Sequence, residues 1–355
     1  MTPNFRARAY DFLNPGLPAG PLNAITDVPG VAVGHLTYHD DEHQPPIHTG
    51  VTVILPHPGD LFNEKLFAAV HTINGYGKAT GFEQVREMGT LETPIALTNT
   101  LCVGRVWDGL VSWMLDRHPE IGTSGPSVNP LVGECNDSRL NDLRGRHVSA
   151  DDVLKALVNA QSGPVAEGSV GAGSGMVCYG FKGGVGTASR QVMDYVLGGL
   201  LVANFGGREQ LLIRGVPVGR LLAASSTQGQ PPAAGSVMIV LATNAPLTDR
   251  QLGRIARRAG LGLARTGSTA SNGSGDFAIA FSTAQKIRAI PEGQVLSLNC
   301  LPESALDPFF QASVEVVEEA VLNALCQAVP VMGPGGLTIP ALPIQQVRSL
   351  LIKPG

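Results

Sequence analysis

The sequence predicts an α+β or layered α/β protein. Short apolar segments bounded by Gly, Pro and Asn come in runs, and long helical patterns separate those runs. Hydrophobic residues make up 43% and charged residues 15%, the balance of a packed globular chain. A length of 355 residues suffices for one large core or for two domains.

Residues 51–55 and 93–97 read as strands. Residues 149–162 read as a helix: Ser149 is an N-cap with Asp152 three positions on, followed by an apolar stripe of Val153, Leu154, Leu157 and Val158. A glycine-rich stretch, residues 168–190, suggests close backbone packing or a binding loop, and its spacing does not fit a dinucleotide fingerprint. Residues 195–203 and 216–224 are further strand candidates. The segment QGQPPAAG, residues 228–235, is polar and proline-broken. It runs directly into SVMIVLAT, residues 236–243, a β-branched apolar run of the length expected for a strand buried on both faces. Thr248 then caps a helix with Leu252, Ile255, Ala256 and Ala259 on one face; residues 277–281 form a strand and residues 307–329 a long helix.

A net charge of −4 without any basic cluster argues against nucleic acid and anionic membranes as partners. The first twenty residues lack the apolar run of a signal peptide, and no stretch approaches eighteen apolar residues, so a cytoplasmic enzyme is expected. Cys102, Cys135, Cys178, Cys300 and Cys326 are scattered without a CxxC pair, which predicts reduced, mostly buried thiols.

There is no GxSxG elbow, HExxH, P-loop or GxGxxG in the required context. His39, His43 and His48 lie near Asp40, Asp41 and Glu42, but the stretch is polar and proline-broken; a solvated loop, and no metal, is the expectation. The other histidines are isolated, so a hydrolase here needs a different base. The polar segment that ends on a buried strand reads either as a surface connection or as a processing site. In the second case Ser236 becomes a new N-terminus, whose α-amine, with a reference pKa of about 7.7–8.0, can activate its own hydroxyl.

The blocks NAITDVPGVAVGH (23–35), TGVTVILP (49–56), NGYGKATGFEQ (74–84), GTLETPIALTNTLCVG (89–104), GAGSGMVCYGFKGGVGTASR (171–190), GSVMIVLATNAPL (235–247) and EEAVLNALCQA (318–328) occur in order along most of the chain. With them the sequence resembles the L-aminopeptidase/D-Ala-esterase-amidase and β-peptidyl aminopeptidase family. The resemblance implies a single catalytic domain over residues 1–355, folded as a four-layer αββα sandwich. It also implies self-cleavage between Gly235 and Ser236, giving chains 1–235 and 236–355, and an acyl-enzyme on Ser236 that releases N-terminal residues from short peptides, amides or esters. It matches Asn204 to an oxyanion-hole amide, otherwise a turn residue. Ser274 and Asp276 match the hydroxyl and carboxylate beside the nucleophile, otherwise an Asx-type loop. Glu134 matches the acid that binds the substrate ammonium group, otherwise a surface loop residue. Arg139 stands where some members carry an oxyanion-stabilising tyrosine; it supports negative charge, binds a substrate carboxylate or points into solvent. By resemblance the protein needs no cofactor and forms a homo-oligomer, a tetramer. Two alternatives remain open: an acyltransferase of the ornithine acetyltransferase type, which self-processes at threonine, and an unprocessed, non-catalytic peptide-binding relative.

Overall fold

The computed structural model describes residues 5–223, 235–289 and 295–352. The polar part of the expected processing segment, residues 228–234, lies outside the described residues. The apolar runs form two mixed sheets. One has strand order β1 (Ala32–Asp40), β2 (Ile47–Leu55), β6 (Ile95–Asn99), β7 (Leu131–Cys135) and β4 (Ala79–Thr80). The other runs β10 (Gly184–Val192), β11 (Tyr195–Asn204), β12 (Ser236–Thr243), β13 (Gly275–Arg288), β3 (Glu64–Gly75) and β5 (Thr90–Leu91). Two short hairpins, β8 (Val177–Cys178) with β9 (Phe181–Lys182) and β14 (Val331–Met332) with β15 (Thr338–Ile339), complete the strands among the described residues.

The helices are α1 (Phe82–Met88), α2 (Val103–Leu115), α3 (Ala150–Val158), α4 (Val218–Ala223), α5 (Asp249–Ala256), α6 (Ala259–Arg265), α7 (Asp307–Gln327) and α8 (Ile344–Ile352). No helix among the described residues is long and apolar enough to cross a membrane. Ser149 caps α3 as expected, its backbone N–H and hydroxyl both donating to Asp152. The helix stops at Val158, however, and that side chain points into solvent, so the buried stripe is narrower than predicted. Residues 216–224 were expected as a strand; residues 218–223 are helix instead. Pro217 presets φ for a first helical turn, and the Leu221 N–H closes onto the Pro217 carbonyl.

Three apolar clusters show how the sheets are covered. Val33, Ile54, Ile95 and Leu131 of the smaller sheet meet Leu200, Val202, Met238, Val240 and Ile279 of the larger. The other face of the larger sheet, with Leu201, Val237, Ile239, Leu241 and Ala280, packs on Leu252, Ile255, Leu263, Phe309 and Val316 of α5–α7. The other face of the smaller sheet, with Val51, Val53, Ala96 and Val132, packs on α2 and α3. Strand β12 therefore sends alternate side chains into two cores, which explains its unbroken apolar sequence. Each fully buried branched side chain contributes about 1.5–3 kcal/mol, so the strand is pinned on both faces and Ser236 at its head inherits that rigidity. The thiols of Cys102, Cys135, Cys178 and Cys326 are free and buried, while Cys300 is free and exposed.

Candidate active site

Ser236 opens β12 between two partners: it pairs with Asn204 at the end of antiparallel β11 and with Gly275 at the start of parallel β13. The C-terminal end of β7 approaches from the smaller sheet and adds the segment Glu134–Asn136. Two β-sheets thus converge on one hydroxyl. Ser236 is buried, and its Oγ accepts from the Asn136 backbone N–H at 3.1 Å and from the Asn204 amide Nδ2 at 3.2 Å. The Asn204 amide is itself held: its Oδ1 accepts from the Val177 N–H at 2.9 Å, and its Nδ2 also donates to the Asn136 carbonyl at 2.9 Å. These contacts fix which end of the amide faces Ser236.

The Gly235 carbonyl, on the bond before Ser236, accepts from the Gly275 N–H at 3.2 Å. Gly235 does not have a left-handed φ, so backbone strain of that kind is not why glycine stands there. The reason is proximity: a Cβ at 235 would lie 2.5 Å from both the Asn204 carbonyl oxygen and the Phe205 Cα.

A cavity of about 140 Å³ opens onto Ser236; Glu134, Arg139 and Asn204 are on its wall, with Tyr76, Lys78 and Thr100 among the others. Glu134 is almost wholly buried. Its Oε1 accepts from the Lys78 N–H at 3.1 Å and lies 3.6 Å from the Lys78 ammonium; its Oε2 has no hydrogen-bond partner. Burial pushes its pKa up, against the opposing pull of Lys78. A buried carboxylate with an unsatisfied oxygen, in a residue on the wall of a cavity, is suited to a cationic ligand. The surface-loop reading of Glu134 therefore does not hold. Arg139, half-buried, is also on the cavity wall, and burial lowers its pKa.

Ser274 and Asp276 flank Gly275 but are not on the cavity wall. The Ser274 hydroxyl donates to Asp276 Oδ1 at 2.6 Å. Burial raises the Asp276 pKa to about 6, although hydrogen bonds from Ser274 and the Val237 N–H oppose the rise. Cys135, next to Glu134, is kept protonated by burial and is no rival nucleophile. Sequence reasoning missed the Asn136 and Gly275 N–H donors, because backbone donors leave no side-chain signature. It also missed Lys78, which sits inside the block NGYGKATGFEQ but gains meaning only when folding sets it beside Glu134.

Residues 23–339 match peptidase family S58. The chain is 41% identical to the beta-peptidyl aminopeptidase BapA of Sphingosinicella microcystinivorans, over 94% of this chain and 89% of that one. It is similar in structure to the PH0078 protein of Pyrococcus horikoshii OT3, with 45% identity, a TM-score of 0.92 and 98% of both chains covered. It is also similar to the L-aminopeptidase D-Ala-esterase/amidase of Ochrobactrum anthropi, with 39% identity, a TM-score of 0.90 and 98% of both chains covered. That enzyme is described as a prototype for the serine aminopeptidases and a new variant among the Ntn hydrolase fold.

Proposed function

The chain belongs to peptidase family S58 and is an aminopeptidase; from that membership and the surroundings of Ser236, we propose that it cuts itself between Gly235 and Ser236 and then works through the freed serine. The observation that carries the proposal is the convergence on this one peptide: Ser236 Oγ held by Asn204 and Asn136, and the Gly235 carbonyl held by Gly275. In the first reaction Ser236 Oγ adds to the Gly235 carbonyl carbon, and the Gly275 N–H supports the charge that develops on oxygen. The C–N bond breaks, nitrogen takes the proton, and an ester joins Gly235 to Ser236 Oγ. Water hydrolyses that ester, leaving a carboxylate on Gly235 and a free amine and hydroxyl on Ser236.

In the mature enzyme the Ser236 amine takes the hydroxyl proton as Oγ attacks the substrate carbonyl. Asn204 Nδ2 and the Asn136 N–H supply the donors for the oxyanion, and Asp276, steadied by Ser274, sets the electrostatics around the amine. Glu134 binds the substrate ammonium group, which restricts cleavage to the N-terminal residue. Arg139 faces the leaving-group side and favours short peptides that end in a carboxylate. Substrates are peptides or amino-acid amides; the beta-peptidyl activity named for BapA extends the proposal to β-amino-acid residues. The three apolar clusters support a four-layer αββα arrangement of one catalytic domain, and a homo-oligomer completes the reading.

Intact-mass measurement with N-terminal sequencing tests the proposal. Chains of 235 and 120 residues are expected, the smaller starting Ser236-Val237-Met238, together with release of amine from aminoacyl and β-aminoacyl amides. A single chain that persists on incubation refutes the self-cleavage.

A further inference from the structure

Away from the Ser236 cavity, the β1–β2 hairpin brings together side chains that were read from the sequence as part of a solvated loop. His39 and His48 are directly opposed across the hairpin, with ring centroids 4.5 Å apart. The His48 side chain is wholly buried and that of His39 half-exposed. His48 Nε2 lies 2.9 Å from the Met332 carbonyl oxygen and 3.2 Å from Asp41 Oδ1. His39 Nε2 lies 3.1 Å from Asp41 Oδ2.

Both Nε2 atoms thus face acceptors only, so each carries the ring proton, and in each neutral ring Nδ1 holds the lone pair. The two Nδ1 atoms nevertheless face each other at 3.1 Å. Two lone pairs at that separation repel, and an electrophile between them, a shared proton or a metal ion, removes the conflict. Imidazoles that ligate metals donate their second N–H to a carboxylate or a backbone carbonyl; here Asp41 serves one ring and Met332 the other. Nitrogens 3.1 Å apart subtend about 100° at an ion held about 2.05 Å from each, between the octahedral and tetrahedral angles.

We propose that this hairpin binds a divalent transition-metal ion, Zn²⁺ being the probe of choice, through His39 Nδ1 and His48 Nδ1. Water completes the shell, and Asp41 and the Met332 carbonyl orient the rings. Both ligands precede Ser236 in the chain, and the Met332 carbonyl that accepts from His48 Nε2 follows it. A neighbouring group, His43, Asp142 and His147, also gathers its donor atoms within 4.8 Å. There His43 Nδ1 is committed to the Pro45 carbonyl at 2.6 Å and His147 Nε2 to Asp142 at 2.9 Å.

The test titrates Zn²⁺ by calorimetry into chelator-treated full-length protein and counts bound metal by native mass spectrometry. His39→Ala, at a half-exposed position that leaves folding intact, is expected to bind one equivalent fewer than the parent, whereas His43→Ala retains it. Asp41→Asn is expected to weaken binding about 10- to 100-fold. Zn²⁺ is expected to raise Tm by about 2–5 °C in the parent and not in His39→Ala. Absence of stoichiometric binding to the parent means that the rings share a proton instead, and overturns the proposal. So does undiminished binding by His39→Ala, or loss of the ion in His43→Ala. None of these readouts depends on Ser236, so failure here is separable from failure of the catalytic reading.

Discussion

Replacing Gly235 by alanine adds one methyl group at the bond expected to break, and the structure sets the size of the effect. The new Cβ falls 2.5 Å from the Asn204 carbonyl oxygen and 2.5 Å from the Phe205 Cα. Both neighbours are backbone atoms at the end of β11, whose side chains are buried, so neither can swing aside. Ordinary carbon contacts lie at about 3.5–4.0 Å, so the peptide at 235 must move by roughly 1 Å. That movement drags the Gly235 carbonyl off the Gly275 N–H and out of line with Ser236 Oγ. A 1 Å misplacement of reacting groups costs on the order of 10²-fold in rate. Self-processing of Gly235→Ala is therefore expected to slow about 100-fold, read as the fraction of 120-residue chain against time by intact mass. Circular dichroism and Tm serve as the check on folding, and Ser236→Ala supplies the unprocessed reference. Cleavage of a well-folded Gly235→Ala at the parent rate would refute the argument that close approach at this glycine sets the attack geometry.

Further outcomes are expected at four sites, probed by five single variants. Asn204→Ala removes one proposed oxyanion donor and should lower kcat by about 10²–10³-fold on processed enzyme, measured with an aminoacyl amide; a loss confined to KM would contradict the proposed role. Glu134→Gln replaces a charge-assisted contact of about 1.5–3 kcal/mol and should reduce kcat/KM about 10- to 150-fold, while Lys78→Met, removing an exposed competitor for Glu134, should lower KM by no more than about fivefold. The Asp276 carboxylate, with its pKa raised to about 6, is charged only above that pH, so below about 6 activity should fall more steeply than the acid limb of the Ser236 amine alone requires; the pH–rate profile of Asp276→Asn should keep the amine limb and lose that extra steepness. Arg190 is buried between Glu315 and Glu319, 2.8 and 2.7 Å away, and Arg190→Met should cost about 3–5 kcal/mol in denaturant unfolding, partly recovered by adding Glu319→Gln.

The fold was legible wherever a single physical signal dominated. β12 begins and ends where its β-branched run does, because burial on both faces leaves only apolar residues between Ser236 and Thr243. Thr248 and Ser149 marked helix starts because a capping side chain acts locally. Residues 216–224 misled because VPVGRLLA reads as apolar and β-branched, and the proline that opens the helix is also a strand-edge residue. The hairpin at residues 39–48 misled for the opposite reason. Its composition is polar, yet β1 and β2 extend into it, and the cross-strand register carries His48 wholly out of solvent.

The site divides along the same line. Ser236, Asn204, Ser274, Asp276 and Glu134 are side chains whose chemistry is written in their identity; Ser236 lies inside a matched block, and the resemblance points to the other four without any knowledge of distance. What makes them a site is a different class of fact. The Asn136 and Gly275 N–H groups, the Val177 N–H that orients Asn204, and the methyl-sized gap at Gly235 all belong to the backbone, and any residue type offers the same amide. Their placement follows from register: Asn204 opposite Ser236, and Ser236 opposite Gly275. A slip of one residue would turn Ser236 to the other face and break all of these contacts at once. The alternating burial of Val237 to Ala242 between two cores is what forbids the slip. The same apolar run that makes β12 easy to read thereby fixes the register on which the proposed nucleophile depends.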